Sequence, residues 1–238
     1  MVEIDGERVE SRLPGRQGKL LLAFLVLRRH ETVSPSQLMD ALWPGEPPSA
    51  AGTAVYSLLS KLRTALGHGL LSGRGDVKLA LPSDARIDIE AARAGIQSAE
   101  SAQALGQWGR AWGAAQISLF VARRGFLTDE EIAWALPVRH ELEDMYVRSL
   151  ETYAAAALHV AGAELPTAER AARELIAAAP FRESGHRTLM RALAAQGNTA
   201  EEILAFGRMR EVLSEELGID PSPASRALYE KLLNAQVD

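Results

Sequence analysis

Few of the side chains that perform enzymatic chemistry occur at productive spacings in this sequence. It contains no cysteine, which excludes disulfides, cysteine nucleophiles and thiolate metal sites. Gly15-Arg16-Gln17-Gly18-Lys19 superficially resembles a phosphate-binding loop, but its glycines are too close together and Leu20 replaces the Ser or Thr that would hold magnesium. The five histidines never occur at a metal-ligand spacing such as His-x3-His: His30, His68, His140, His159 and His186. We therefore expect no enzyme activity, no metal site and no cofactor.

Hydroxyl and cationic side chains instead recur along one predicted helix, from residue 50 to residue 66. Its apolar residues form a single stripe: Val55, Leu58, Leu59, Leu62 and Leu66. The opposite arc and its edge carry Thr53, Ser57, Ser60, Lys61, Arg63 and Thr64. Hydroxyls contact base edges or phosphates, and cations contact phosphates, so this arc suits DNA recognition. From the pattern alone, an ordinary amphipathic helix with a solvated face remains the alternative.

The elements around this helix predict how it is positioned. Asp5-Gly6 between two short alternating stretches predicts a tight hairpin, and the leucines of residues 20–27 predict a first helix. Ser34-Pro35 predicts the start of a second helix that ends at residue 42. Residues 70–81 predict a second hairpin with Arg74 in its turn. Hairpin, three helices and hairpin is the order of a winged helix, whose third helix enters the major groove while the wing rests on phosphates.

The remainder of the chain reads as helix. Breaks near Gly106, Gly125, residues 162–166, Pro180, Gly197 and residues 218–223 predict about seven helices. Gly162 and Gly197 begin two similar stretches 35 residues apart, close to the roughly 34-residue period of tetratricopeptide helix pairs. We expect residues 88–235 to contain no strand, and we expect Asp129-Glu130-Glu131 to form the acidic first turn of a helix.

These patterns predict a mainly α protein with two domains, joined at Pro82-Ser83-Asp84. Residues 1–85 would form an N-terminal winged helix-turn-helix domain with small β hairpins. Residues 86–238 would form an all-α, TPR-like domain. Residues 1–82 contain ten Lys and Arg against eight Asp and Glu, and residues 83–238 contain sixteen against twenty-three. The mildly basic part is therefore the part expected to approach DNA.

Composition bears on location as well. The longest apolar run, Leu20 to Leu27, is too short to span a membrane. The first residues are acidic and do not resemble a signal peptide. We expect a cytoplasmic protein without a membrane partner.

Longer stretches of this sequence resemble the Streptomyces antibiotic regulatory protein (SARP) family. The N-terminal matches are Arg16-Gln17, Leu21-Leu22-Ala23, Val33-Ser34, Ala41-Leu42-Trp43, Pro47-Pro48 and residues 59–67. The C-terminal part is similar to that family's bacterial transcriptional activator domain. The matching residues there are Pro180-Phe181-Arg182-Glu183, residues 189–193, Gly197, residues 215–218 and Pro221-Ser222-Pro223, so the resemblance covers nearly the whole chain in the family's order. The resemblance implies an OmpR-type winged helix that binds direct repeats as a side-by-side dimer and recruits RNA polymerase.

Two positions depart from the family pattern. Members carry further strands before the Asp-Gly hairpin, so here the strand platform is reduced or the chain is a trimmed form. Members also tend to carry an arginine early in the recognition helix, where this sequence has Ala51-Gly52. A glycine at this position weakens the helix by up to about 1 kcal/mol relative to alanine.

Together, these features predict a sequence-specific DNA-binding transcriptional activator. The residues expected to contact DNA are Thr53, Ser57, Ser60, Lys61 and Thr64 towards the groove, and Arg63 and Arg74 towards phosphates. The expected partners are double-stranded DNA with direct repeats, RNA polymerase and a second copy of the chain. The alternative is a TPR-like interaction or effector-sensing module whose winged helix no longer binds DNA by itself.

Overall fold

The computed structural model describes residues 2–67 and 69–234. The chain forms two compact units. Unit 1 contains Met1–Ala85 together with Asp129–Leu136, and unit 2 contains Arg86–Thr128 together with Pro137–Asp238. Unit 1 is therefore built from two separate stretches of chain. The predicted strand-free region extends to residue 235, and that residue, like His68, lies outside the described residues.

Unit 1 has the predicted order of elements. Its helices and strands are β1 (Glu3–Ile4), β2 (Glu7–Arg8), α1 (Gly15–Leu27), α2 (Pro35–Leu42), α3 (Ala51–Leu66), β3 (Leu71–Ser72) and β4 (Lys78–Leu79). The three helices contact one another, and α1 also contacts β4. Their leucines fill the core of the unit, where Leu21, Leu38 and Leu59 are fully buried. The hydrophobic spacing that predicts α1 and α3 is thus the spacing that buries them.

Two antiparallel hairpins frame these helices. In the first, Glu3 pairs with Arg8 and Ile4 pairs with Glu7 across the turn at Asp5-Gly6. Both turn residues have positive φ, as a type I′ turn requires. In the second, Leu71 pairs with Leu79 and Ser72 pairs with Lys78. The hairpins expected from Asp-Gly and from residues 70–81 are both present, although their strands are only two residues long.

Helix α2 begins with a complete capping box. The Gln37 backbone N–H donates to the Ser34 hydroxyl, and the Ser34 backbone N–H donates to the Gln37 side-chain carbonyl at 2.8 Å. Pro35 occupies the first helical position, where its missing N–H costs nothing. Ser34-Pro35 therefore fixes the start of α2 locally, as expected.

Residues 129–136 differ from the sequence-based prediction. Asp129-Glu130-Glu131 was expected to begin a helix, but these residues are not helical. They precede a short 3-10 turn at Ala133–Ala135, in which Ala135 is fully buried. The prediction was wrong because acidic residues favour a helix start only where helical packing continues from them. Here, instead, the segment packs into unit 1. The predicted domain boundary at residue 85 would place it in the second domain.

Seven α-helices make up most of the described residues of unit 2, which contain no strand. They are α4 (Asp88–Ala104), α5 (Trp108–Ala122), α6 (Leu136–Val160), α7 (Leu165–Ala178), α8 (Glu183–Ala195), α9 (Thr199–Leu217) and α10 (Pro223–Asn234). Short turns join neighbours that pack closely: α4 on α5, α7 on α8, and α8 on α9. Gly162 precedes α7 and Gly197 precedes α9, both with positive φ. The glycines spaced like a helical repeat therefore introduce successive helix pairs.

Two buried clusters hold these helices together. Ile96 of α4, Ala122 of α5 and Met145 of α6 belong to one cluster. Leu150 of α6, Leu175 of α7, Leu193 of α8, Ala205 of α9 and Leu228 of α10 belong to the other. Helix α6 contributes to both clusters, so it links the first helix pair of the unit to the later ones. No helix among the described residues is long and apolar enough to cross a bilayer.

A polar network joins the start of α8 to the start of α10. The Glu183 carboxylate accepts hydrogen bonds from the Ser222 amide at 3.1 Å and from its hydroxyl at 2.7 Å. The Ser225 hydroxyl also donates to Glu183, and Arg187 donates to the Ser225 hydroxyl at 3.0 Å. Desolvation raises the pKa of Glu183, but these hydrogen bonds outweigh it and hold that pKa below its usual value. Glu183 and Ser222 both lie in stretches that resemble the SARP family.

Candidate nucleic-acid interface

Helix α3 has two chemically distinct faces. Val55, Leu59 and Leu62 are fully buried, and Leu66 is nearly so. Leu58, predicted to share this stripe, is half-buried. The buried face seats α3 against α2 and α1, which leaves its other face for a partner. The division arises because residues three or four apart lie on the same side of a helix.

All the residues predicted to face the groove lie on the exposed side of α3. They are Thr53, Ser57, Ser60, Lys61 and Thr64. Tyr56, at the edge of this arc, is 48% exposed. The arc contains no acidic side chain, so nothing on α3 itself repels a phosphate. We call Thr53, Ser57, Ser60, Lys61 and Thr64 the polar face.

The hydroxyls of the polar face are not equally available. The Thr64 hydroxyl donates to the Ser60 carbonyl at 3.2 Å, a bond that lies within the helix. In this arrangement Thr64 can accept a hydrogen bond from a base amino group but has no proton to offer. Sequence spacing does not reveal this because threonine chooses between such a bond and an outward donor through its χ1 rotamer.

Arg63 occupies a different environment from the one expected. Its Nε–H donates to the Leu71 carbonyl at 3.2 Å, and a terminal N–H group donates to the Gly73 carbonyl. The side chain is half-buried between α3 and the second hairpin. Its guanidinium therefore holds the hairpin against the end of α3 instead of extending away as a free phosphate ligand. The position of Arg63 beside the apolar stripe was the signal for this role.

Arg74 is exposed in the loop between β3 and β4. The loop is tight: a Cβ built on Gly73 would lie 1.9 Å from the Asp76 carbonyl oxygen, and Gly73 has a φ of +91°. Only glycine fits there, so the loop path that carries Arg74 depends on it. Arg63 binds the Gly73 carbonyl, and the same arginine therefore also steadies the base of this loop.

Some cations of unit 1 pair with carboxylates, whereas others remain available. Arg12 pairs with Glu7, and Arg28 pairs with Glu31. Lys61 and Arg74 form no ion pair with any residue that the structure describes, and both are exposed. These two cations are consequently available to an anionic partner.

Two contacts near the interface were not anticipated from sequence. Val33, just before α2, forms an antiparallel bridge with Val77 through two backbone hydrogen bonds of 2.8 Å. This bridge ties the second hairpin to the start of α2. The second contact is made by Trp134, which packs in unit 1. Its indole N–H donates to the carbonyl of Ala41, which lies 93 residues earlier in the chain. Neither has a local sequence signal, because each joins segments that are remote in the chain.

Residues 87–233 match the bacterial transcriptional activator domain, which covers more than half of the chain. The chain belongs to this family. The match begins just before α4 and ends within α10, so it comprises the helices of unit 2 and the segment of unit 1 between α5 and α6.

Named relatives extend over unit 1 as well. The chain is 32% identical to the regulatory protein AfsR of Streptomyces coelicolor over 232 residues, which is 97% of this chain and 23% of AfsR. It is 30% identical to the transcriptional regulatory protein EmbR of Mycobacterium tuberculosis, over 98% of this chain and 61% of EmbR. It is 28% identical to the transcriptional regulatory protein MoaR1 of the same organism, over 90% and 71%. The chain therefore spans less than two thirds of AfsR and EmbR.

A solved structure of M. tuberculosis EmbR, in complex with a low-affinity phosphopeptide, has a similar fold. The TM-score is 0.77 at 26% identity, and the match covers 98% of this chain and 62% of the EmbR chain. The fold is mainly helical with small strand pairs, as predicted. The resemblance to SARP-family regulators is thus confirmed over nearly the whole chain, and its relatives are transcriptional regulators.

Proposed function

We propose that this chain is a sequence-specific DNA-binding transcriptional activator whose unit 1 is a winged helix. The observation that carries the proposal is the polar face of α3, which lies opposite a fully buried stripe and beside a hairpin with an exposed arginine. A helix seated in this way can enter a major groove without exposing its apolar residues.

Each residue of the interface then has a role set by its chemistry. Thr53, Ser57, Ser60 and Thr64 contact base edges, with Thr64 acting as an acceptor. Lys61 and Arg74 contact phosphates. Arg63 contributes indirectly, because its hydrogen bonds hold the hairpin that presents Arg74.

The number of available cations predicts how the protein binds. A helix with Lys61 as its one unengaged cation makes few phosphate contacts, so a single protomer binds weakly. Two protomers on adjacent direct repeats combine modest affinities, and we therefore propose a homodimer on DNA. Unit 2, the activator domain, would recruit RNA polymerase in the cytoplasm.

In-vitro selection of DNA by the purified full chain tests the proposal. We expect enrichment of a repeated motif, followed by protection of that motif in footprinting. A simultaneous change of Ser57 and Ser60 to alanine should remove the sequence preference while leaving weak, salt-sensitive binding. Binding that shows no sequence preference in the wild-type chain would contradict the proposal.

A second candidate function is a protein-interaction or effector-sensing module. A cavity of about 300 Å³ in unit 2 favours it, bordered by α5, α6 and α7. Leu119 and Tyr153 line this cavity, as do Phe120, which is 67% exposed, and Arg170. If the chain selects no DNA motif but a Phe120→Ala variant loses a partner that wild type retains, this second function is the correct one.

A further inference from the structure

The segment 129–136, which we call the strap, reaches unit 1 from between α5 and α6. Ile132 is 6% exposed and Ala135 is fully buried, so the strap contributes apolar side chains to an interior. Its chain neighbours on both sides belong to unit 2. Unit 1 is thus completed by residues that lie within the activator-domain match.

Trp134 makes the most specific contact of the strap. Its indole N–H donates to the Ala41 carbonyl at 3.0 Å. Ala41 lies in the last turn of α2, where the carbonyl groups have no N–H donor within the helix. Because Ala41 is 4% exposed, water has little access to this carbonyl, and Trp134 supplies the donor that it needs.

The ring of Trp134 contacts a second helix. Its edge meets Phe24 of α1, with ring centroids 5.2 Å apart and planes at 72°. Phe24 is 4% exposed. This edge-to-face geometry is favourable for aromatic pairs. The side chain of Trp134 therefore contacts both α1 and the end of α2.

An ion pair fixes the other part of the strap to α1. The Arg16 Nε–H donates to Glu130 Oε1 at 2.8 Å, and a terminal N–H group of Arg16 donates to Oε2. The Glu130 side chain is 14% exposed, and that of Arg16 is 71% exposed. This bidentate pair specifies orientation as well as proximity.

We propose that Trp134 is a positioning residue for DNA binding, which it supports through Ala41 and Phe24. The end of α2 leads directly into the turn 43–50 and then into α3, so the path of this turn depends on where α2 ends. The inference rests on the proposed DNA-binding function. It assigns part of that function to a residue that lies 60 positions beyond Arg74, the last DNA-contacting candidate in the chain.

Three variants of the full chain test this role. Trp134→Phe keeps an aromatic ring and removes only the N–H donor, whereas Trp134→Ala removes both contacts. Trp108→Ala, in α5 of unit 2, is the matched control, since Trp108 stacks on His159 at 3.7 Å and makes no contact described in unit 1. Each is measured at a temperature at which circular dichroism shows it fully folded.

Two measurements are made on each variant. The first is affinity for the selected DNA motif, and the second is hydrogen exchange of the free protein. We expect roughly tenfold weaker binding for Trp134→Ala, and a smaller loss for Trp134→Phe, since one buried hydrogen bond is removed. Amides of residues 41–55 should exchange faster in both variants, while those of α8 should not change. Trp108→Ala should match wild type in both respects.

The outcomes separate this inference from the proposed function. Wild-type affinity and wild-type exchange in residues 41–55 of the Trp134 variants would overturn it. If wild type binds no DNA, the proposed function fails, and the exchange data still decide whether Trp134 holds the end of α2. If Trp134→Ala does not fold, Trp134→Phe decides the question, because it keeps an aromatic ring at this half-buried position.

Discussion

Lys61 and Arg63 lie two positions apart on α3, yet their side chains have different surroundings. Lys61 is exposed on the polar face. We expect Lys61→Ala to weaken DNA binding and to lower the slope of log affinity against log salt by about one unit, because one phosphate contact is lost. Lys231→Ala, an exposed lysine in α10, is the charge-matched control. An unchanged slope for Lys61→Ala would mean that the polar face does not approach phosphate.

Arg63 should behave differently because its donors are engaged with Leu71 and Gly73. In Arg63→Ala the hairpin loses these bonds, so its amides at residues 71–79 should exchange faster in the free protein. DNA affinity should fall as the loop carrying Arg74 loosens. Arg63→Lys should rescue neither property fully, since an ammonium cannot reproduce the geometry of the guanidinium. Wild-type exchange in the hairpin of Arg63→Ala would refute the bracing role.

Gly52 offers a test by gain of function. A Cβ at this position would meet no atom within 4 Å, so packing does not require glycine there. Gly52→Arg should strengthen DNA binding and raise the salt slope by about one unit, because it adds a cation to the first turn of α3. Gly52→Ala is the control for helix propensity, worth up to about 1 kcal/mol. Equal affinities for the two variants would show that this turn lies away from phosphates.

At the scale of elements, the Glu183 network couples the starts of α8 and α10. We expect Glu183→Gln to lower the free energy of unfolding at pH 7 by about 1–3 kcal/mol, since hydrogen bonds to a charged acceptor are weakened. The folded pKa of Glu183 is depressed, so its contribution is present above the unfolded value of about 4.3 and is lost as the pH falls through the folded pKa.

Chemical unfolding of both proteins at pH 7 and pH 3 measures this. The difference in the free energy of unfolding between wild type and Glu183→Gln should be smaller at pH 3 than at pH 7. Burial also lowers the pKa of His186, whose protonation destabilises the fold below about pH 6.5. The charge of Glu183 opposes this shift, so the His186 contribution is the same in the two proteins only at a pH where Glu183 is protonated. A gap that is the same at the two pH values would show that the charge on Glu183 contributes nothing.

Elements with a local cause were predictable. The Ser34-Pro35 cap, the Asp5-Gly6 turn and the buried stripe of α3 each depend on residues within a few positions of one another. The carbonyl partners of Arg63 and Trp134 were not, because each is supplied by another part of the fold. Glu130 shows the same limit: its acidity predicts a helix start, whereas its partner Arg16 lies 114 residues away.

For the whole molecule, the sparse cations of α3 predict binding in pairs. We expect each protomer to bind a DNA with two direct repeats at least about tenfold more tightly than a DNA with a single repeat, because neighbouring protomers contact each other. Inserting about five base pairs between the repeats should abolish the gain, because half a turn places the protomers on opposite sides of the duplex. Band-shift titrations on three DNA probes measure this: a single repeat, two adjacent repeats, and two repeats separated by the insertion. Equal affinity per repeat on all three probes would exclude contact between protomers.

The proposed activator role is a separate property of the whole chain. A Phe120→Ala variant changes an exposed side chain of α5, far along the chain from the polar face. If the cavity it borders receives a segment of RNA polymerase, transcription in vitro should fall while DNA binding stays at the wild-type level. Variants of the polar face should lose both. Equal transcription by wild type and Phe120→Ala would place polymerase contact elsewhere.

The division of unit 1 between Met1–Ala85 and Asp129–Leu136 also sets an order of events on the ribosome. Domains generally fold as they emerge, at synthesis rates of about 5–20 residues per second. Although α1 to α3 emerge first, Trp134 emerges only after α4 and α5 have been made. For roughly 3–14 seconds the nascent chain therefore carries α3 without its strap. If unit 1 binds DNA as proposed, we expect a chain released in this interval to bind more weakly than the full chain, because it lacks the strap.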